Sequence, residues 1–206
     1  MIKFIYFDVG GVAVIDFSAN PEKWVSLQDE LGLPANKADA FMVFYDVYAG
    51  EICMGRDSET LVPLIAKEFG LTIPESYSFL TAFVSRLDPN PSIWPVVKLS
   101  KEKARIGLLT NMFTGMLDAI KAAEKLPPEE WDAVVDSSVE FCKKPDEKFY
   151  RIAEERAGVT GEEILFIDNT QGHLDAAKKL GWQTFLYDPA EPGNSSTVLK
   201  EIISAL

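Results

Sequence analysis

The sequence predicts an α/β fold on a parallel sheet, with an all-helical segment inserted after the first strand. Three observations carry this expectation. From residue 93 onward, short apolar runs alternate with helical patterns, the rhythm of a sheet covered by helices on both faces. The opening stretch KFIYFDVGGVAVID (residues 3–16) is apolar almost throughout, as a strand buried on both faces is. Between residues 17 and 88 there is almost nothing but helical spacing. The 206 residues suffice for one such domain plus a substantial insertion.

In the first strand, Asp8 falls where the strand should run out, and Gly10-Gly11 allow the tight turn that follows. Trp24, Leu27, Gln28 and Leu31 recur at helical spacing, and Gly32-Leu33-Pro34 ends that element. A second helix is expected over 38–48, with Phe41, Phe44, Tyr45 and Tyr48 on one side and a turn at Gly50-Glu51-Ile52. A third spans 58–69, irregular near Pro63 and stopped by Gly70. A fourth covers 74–84, after which Asp88-Pro89-Asn90-Pro91 breaks the chain. Aromatic residues spaced three and four apart read as core packing here, rather than as a cofactor box.

Beyond the break, a helix over 93–103 precedes a buried strand at 105–109 that ends in Thr110-Asn111. A helix follows at 115–125, then a strand at 132–135. The helix at 145–157 has proline near its first turn and Gly158 just past its end, the usual asymmetry of helix ends. A strand at 163–167 runs into Asp168, a helix covers 172–180, and a strand at 184–187 leads to a terminal helix at 196–206. Residues 188–194 are expected to be soft. Residues 1–16 and 89–206 then form an α/β core domain, and residues 17–88 a helical cap domain.

A formal net charge of -12 disfavours nucleic-acid backbones and anionic membranes as partners. It does not exclude an anionic substrate, which one lysine, a metal ion and backbone N–H groups can bind beneath an acidic surface. No apolar run approaches membrane-spanning length, and MIKFIYFDVGG lacks the basic start and cleavage site of a signal peptide. Cys53 and Cys142 form no close-spaced motif. They are expected to be free thiols, and the protein cytoplasmic.

In an open parallel sheet, ligands gather outside the carboxyl ends of the strands. Asp8, Thr110-Asn111 and Asp168-Asn169 each follow an apolar run directly, and Lys144-Pro145 stands just before a helix. Brought together, they supply two carboxylates, a hydroxyl, an ammonium and several N–H groups. The carboxylates suit Mg²⁺, which takes oxygen ligands and keeps part of its water. The ammonium and hydroxyl suit phosphate oxygens. Taken alone, Asp8 also admits the reading of a capping or turn aspartate.

These stretches resemble the motifs of the haloacid dehalogenase-like hydrolase superfamily, in the branch whose helical cap follows the first strand. Within that branch, the DxG start is similar to that of sugar-1-phosphatase-like members. The matching segments are FDVGGV (7–12), LLTN ending at Thr110 and Asn111, the Lys144 of KKPDEKFY, and ILFIDNTQGHLDAAKKLGW with its Asp168. The resemblance implies a Rossmann-like three-layer core with strand order 5-4-1-2-3. It also implies a Mg²⁺-dependent phosphatase in which Asp8 attacks phosphorus and forms an aspartyl-phosphate. Asp8, the carbonyl of Gly10 and Asp168 would hold the metal. Gly10, Gly11, Thr110, Asn111 and Lys144 would hold the phosphoryl oxygens, and Lys144 would balance charge. The implied partner is a small phosphorylated metabolite, sugar phosphates among them, for a monomer or homodimer.

Three positions depart from the pattern. Gly10 stands where the family usually has a second aspartate that protonates the leaving oxygen, help worth about 10²- to 10⁴-fold. Good leaving groups, such as that of a sugar 1-phosphate, need this acid least. Asn169 replaces a common second aspartate, and His173, the one histidine, stands where asparagine is frequent. Both are expected behind the metal position, Asn169 orienting a water or Lys144, and His173 either supporting or acting as the missing base. Two other readings stay open. One is a catalytically weak or inactive member that binds phosphate or a protein. The other is a 2-haloacid dehalogenase, which needs no metal and carries a distinctive cap arginine; Arg56 and Arg86 are the only arginines in that region.

Overall fold

The first strand, β1 (Phe4–Phe7), is buried at every residue, and its side chains divide between two cores. Phe4 and Tyr6 join a cluster with Phe149, Tyr150 and Trp182, whereas Ile5 and Phe7 join another with Ile106 and Ile167. Side chains of a strand point alternately to opposite faces, so an all-apolar strand needs cover on both. The computed structural model describes all residues, 1–206.

Four helices lie between two short strands, β2 (Val14–Ile15) and β3 (Asp88–Pro89). They are α1 (Glu22–Glu30), α2 (Ala38–Ile52), α3 (Leu61–Phe69) and α4 (Phe79–Ser85). The remainder alternates: α5 (Trp94–Lys103), β4 (Arg105–Thr110), α6 (Met116–Ala122), β5 (Ala133–Asp136), α7 (Ser137–Glu140) and α8 (Glu147–Ala157). Then come β6 (Ile164–Asp168), α9 (Gln171–Lys179), β7 (Gln183–Leu186) and α10 (Pro192–Ser204). Five strands form one parallel sheet in the order β5-β4-β1-β6-β7, which puts β1 at its centre. No helix is long and apolar enough to cross a membrane.

The Asp88-Pro89 segment is a paired strand and not a simple break. It lies antiparallel to β2, with Val14 opposite Pro89 and Ile15 opposite Asp88. Lys23 Nζ fastens this crossing by donating to Ile15 O at 2.8 Å and to Asp88 Oδ2 at 2.8 Å. Asn90 Nδ2 donates to Val12 O at 2.7 Å and to Tyr187 Oη at 2.9 Å. The two ends of the four-helix segment are therefore fastened to each other at one clamped point.

Several element boundaries differ from expectation. Helix α2 runs on through Gly50 to Ile52 instead of turning there, because Ile52 is fully buried. That gain outweighs the roughly 1 kcal/mol that glycine costs within a helix. Helix α4 begins at Phe79 rather than Pro74. Ser78 caps it by accepting from Thr81 N at 3.1 Å, and Glu59 accepts from Phe79 N at 2.8 Å and Leu80 N at 3.1 Å. Helix α8 starts at Glu147, past Pro145. Helix α10 starts at Pro192, so the second half of the expected soft segment is helical, with proline in the first turn.

Candidate active site

The register of the sheet sets the site. Phe7 pairs with Leu108 on one side and Ile167 on the other, and Asp8 N donates to Ile167 O at 2.9 Å. Asp8 and Asp168 thus lie side by side where two adjacent strands end, with Thr110 at the end of the strand on the far side of β1. Lys144 reaches in from the loop before α8. Its Nζ lies 2.9 Å from Asp8 Oδ1 and 2.6 Å from Asp168 Oδ2. All three side chains are buried. Lys143 faces elsewhere, its Nζ 3.9 Å from where a Cβ on Gly50 would stand.

One ammonium shared between two buried carboxylates cannot serve both equally. Burial pushes the Asp8 carboxyl well up, with the Asp168 charge adding to it and Lys144 opposing it. Burial acts on Asp168 in the same sense, but the nearer Lys144 and the contact with His173 hold it below the ordinary carboxylate range. For Lys144, burial alone would lower the pKa, and the two aspartates outweigh that and raise it. Asp8 is oriented by Val9 N, which donates to its Oδ1 at 2.7 Å, and Asp168 by Thr170 N, which donates to its Oδ1 at 2.7 Å.

This charge balance leaves the interior short of positive charge, which a divalent cation would offset. Asp8, Asp168 and His173 each present a ligand atom within 4.8 Å of the others. The buried carboxylates are the hard oxygen donors that Mg²⁺ takes. His173 sits in the first turn of α9, with Nδ1 3.1 Å from Asp168 Oδ2. Asn169 Nδ2 donates to Ser18 Oγ at 3.2 Å, away from Lys144.

The expected phosphate donors divide. Thr110 Oγ1 is buried and has no hydrogen-bond partner within the chain, as is also true of Tyr77 Oη and Trp94 Nε1, and of the three it alone stands at the strand ends, where a polar ligand or a water would satisfy it. The N–H groups of Gly10 and Asn111 have no acceptor within the chain. Gly11 departs from expectation: its N–H donates to Val14 O at 2.9 Å, closing the turn. Its φ of +75° requires glycine, and an added Cβ would fall 2.3 Å from Asn169 Nδ2. The Asn111 side chain is also committed. It accepts from Lys144 N at 2.9 Å and donates to Lys144 O at 3.0 Å, fixing the lysine to the end of β4.

A cavity of about 170 Å³ opens from Gly10 and Asn111 toward the helical block. Tyr45, Cys53, Phe83, Met112 and Phe113 form much of its wall, and Asp16 is its one carboxyl. Burial pushes the Cys53 thiol up to about 11 and the Tyr45 hydroxyl well above its usual value. In the sequence Asp16 only marks the end of an apolar run. A larger cavity of about 670 Å³ within the helical block, around Val62, Ala66 and Tyr77, contains none of the strand-end residues. Neither arginine of the helical block lines the smaller cavity. Arg56 is bound to Glu51, Thr60 and the Tyr48 ring, and Arg86 to Glu30 and Ser26.

Comparisons with known proteins bear on the fold and the family. A search by sequence among curated proteins finds no match. Among solved structures, a HAD-like family hydrolase from Porphyromonas gingivalis superposes with a TM-score of 0.75 at 22% identity, over 98% of each chain. The HAD family enzyme bt-2542 of Bacteroides thetaiotaomicron, solved with magnesium and inorganic phosphate, gives 0.69 at 20% identity, over 90% of this chain and 94% of that one. An L-2-haloacid dehalogenase gives 0.72 at 16% identity, over 98% of this chain and 99% of its own. At such identities the likeness is one of fold. The sequence itself matches the haloacid dehalogenase-like hydrolases over residues 2–181, from just before β1 to just past α9, and the chain belongs to that family of enzymes.

Proposed function

We propose that the protein is a Mg²⁺-dependent phosphatase acting on a small phosphomonoester through an aspartyl-phosphate on Asp8. The observation that carries this is the buried Thr110 hydroxyl, left without a partner at the same strand ends as the Asp8–Lys144–Asp168 bridge. A phosphoryl oxygen would satisfy it. Asp8 and Asp168 would hold the metal, which when bound offsets the charge on the phosphoryl oxygens.

The chain's own groups supply the rest. Val9 N–H and Lys144 Nζ both bind Asp8 Oδ1, which fixes the direction of the nucleophile. The N–H groups of Gly10 and Asn111 and Thr110 Oγ1, unpaired within the chain, would donate to the oxygens that gain charge as the phosphoryl group transfers. Lys144 stays protonated between the two carboxylates and stabilises the same charge. Residues 17–88 act as a cap whose inner wall, with the strand ends, encloses the leaving group and excludes water. The cavity's size and mostly apolar lining suit a compact leaving group.

A haloacid would need a cation for its carboxylate, and Arg56 and Arg86 are already paired within the helical block. The discriminating experiment is a panel of phosphomonoesters with Mg²⁺, run beside 2-chloropropionate, for wild type and Asp8→Asn. Phosphate release that falls by about 10³-fold or more in Asp8→Asn, equivalent to roughly 4 kcal/mol of barrier, supports the proposal. Halide release without phosphate release would overturn it.

A further inference from the structure

The cavity that opens from Gly10 contains few groups able to move a proton. Tyr45 and Cys53 line it, but burial makes each too weak an acid to exchange protons readily near neutral pH. His173 lies against Asp168 and is not part of the cavity wall. Asp16 remains. Its carboxyl stands so close to Gly10 that a Cβ there would fall 2.7 Å from Asp16 Oδ2, about the reach of a carboxylate oxygen from its own Cβ. The Asp16 side chain therefore occupies the space that a side chain at position 10 would fill.

The carboxyl is also held asymmetrically. Ser18 N donates to Asp16 Oδ1 at 2.9 Å, and Ser18 Oγ contacts the same oxygen. Oδ2 has no donor from the chain and faces Gly10. Clamping one oxygen aims the other, which is what a proton-transfer group requires. The residue directly follows β2, so the pairing of β2 with β3 sets its position.

Resting on the phosphatase proposal, we infer that Asp16 is the general acid and base of this site, acting through Oδ2. In the first step the Asp8 carboxylate bonds to phosphorus and the bond from phosphorus to the leaving oxygen breaks. The proton on Asp16 Oδ2 passes to that oxygen, giving a neutral alcohol and an Asp16 carboxylate. In the second step a water oxygen bonds to phosphorus and its proton passes to Asp16 Oδ2. The bond from Asp8 to phosphorus breaks with its electron pair returning to Asp8. Inorganic phosphate leaves, and Asp16 is again protonated.

The test is kcat and kcat/KM with Mg²⁺ for dinitrophenyl, nitrophenyl, phenyl and benzyl phosphate, in wild type and Asp16→Asn. The amide keeps an oxygen for Ser18 N–H but cannot cycle a proton. For Asp16→Asn, kcat/KM on dinitrophenyl phosphate should stay within about threefold of wild type, since that leaving group needs no acid. On benzyl phosphate it should fall by about 10²- to 10⁴-fold. With dinitrophenyl phosphate, kcat should also fall and acid-quenched phosphoenzyme should accumulate, because water attack loses its base. An equal loss in kcat/KM on all four esters, or no loss in kcat/KM on any, would overturn the assignment. Ser18→Ala keeps the carboxyl and loosens its clamp, so it should give a smaller loss in the same order, and it serves if Asp16→Asn does not fold. A uniform Ser18→Ala loss would count against Asp16. If wild type releases phosphate from none of the esters, the phosphatase proposal itself fails, and this inference with it.

Discussion

At the strand ends, Asp8, Lys144 and Asp168 are buried charges, each with two or more hydrogen-bonding or ionic partners. The cavity beside them is walled mostly by apolar side chains, among them Phe83, Met112 and Phe113, that touch through packing. The first region depends on charge balance, so removing one member leaves the others unpaired in a low-dielectric interior. The second depends on shape, which yields by degrees. Substitutions at the strand ends should therefore act nearly all-or-none, and those in the cavity should shift substrate preference.

The largest effect should come from Lys144→Ala. It leaves two adjacent buried carboxylates uncompensated, and breaking such a pair costs about 3–5 kcal/mol of stability. Urea unfolding measures that loss, and phosphatase assays should show activity down by about 10³-fold or more. Mg²⁺ should stabilise the variant more than it stabilises wild type, because the cation supplies the missing charge. Lys143→Ala is the contrast, with activity expected within about threefold and stability within the roughly 0.5 kcal/mol typical of surface changes. If the two lysine variants behave alike, the distinction between the regions fails.

A smaller effect is expected from His173→Ala. Groups that hold a metal-binding carboxylate in place typically matter about 10- to 100-fold in metal affinity. Calorimetric titration with Mg²⁺ should show a loss in that range, with the fold intact by circular dichroism. An unchanged affinity would mean that Thr170 N–H and Lys144 suffice to orient Asp168.

The cavity should answer more gently. Cys53→Leu adds volume to the wall and should raise KM for bulky aryl phosphates by about tenfold, leaving the smallest ester nearly unaffected. A parallel fall in kcat for every ester would show that the cavity positions the phosphoryl group as well. The native thiol gives the mildest probe. With its pKa pushed up to about 11, Cys53 should be alkylated slowly at neutral pH, and about ten times faster for each unit of pH below that value. An aryl phosphonate bound in the cavity should slow it further.

How much of this was legible in the sequence follows the same division. Asp8, Thr110, Lys144 and Asp168 each stand next to an apolar run or helix start, and local pattern was enough to single them out. Asp16 also ends an apolar run, but that run belongs to the small two-stranded pairing and not to the main sheet. Its place depends on a two-residue pairing with Asp88-Pro89, far along the chain, in which neither segment is long enough to show periodicity. Gly11 is a related case, since its N–H is taken by Val14 within a turn whose geometry glycine alone does not specify. In the helical block, the start of α4 is set by Glu59 from a different helical segment, a tertiary contact that propensity cannot register. The continuation of α2 through Gly50 likewise follows from where Ile52 is buried.

The central claim is that the Asp8 carboxylate attacks phosphorus, and it can be tested on the intact protein. Wild type and Asp8→Asn are mixed with dinitrophenyl phosphate and Mg²⁺, quenched in acid within milliseconds, digested and mapped by mass spectrometry. The account predicts one phosphoryl group on the wild-type peptide that contains Asp8, appearing no later than the dinitrophenol, and none on Asp8→Asn. Rapid phosphate release with no phosphoryl group on Asp8 at any quench time, or a phosphoryl group on another residue, would contradict it.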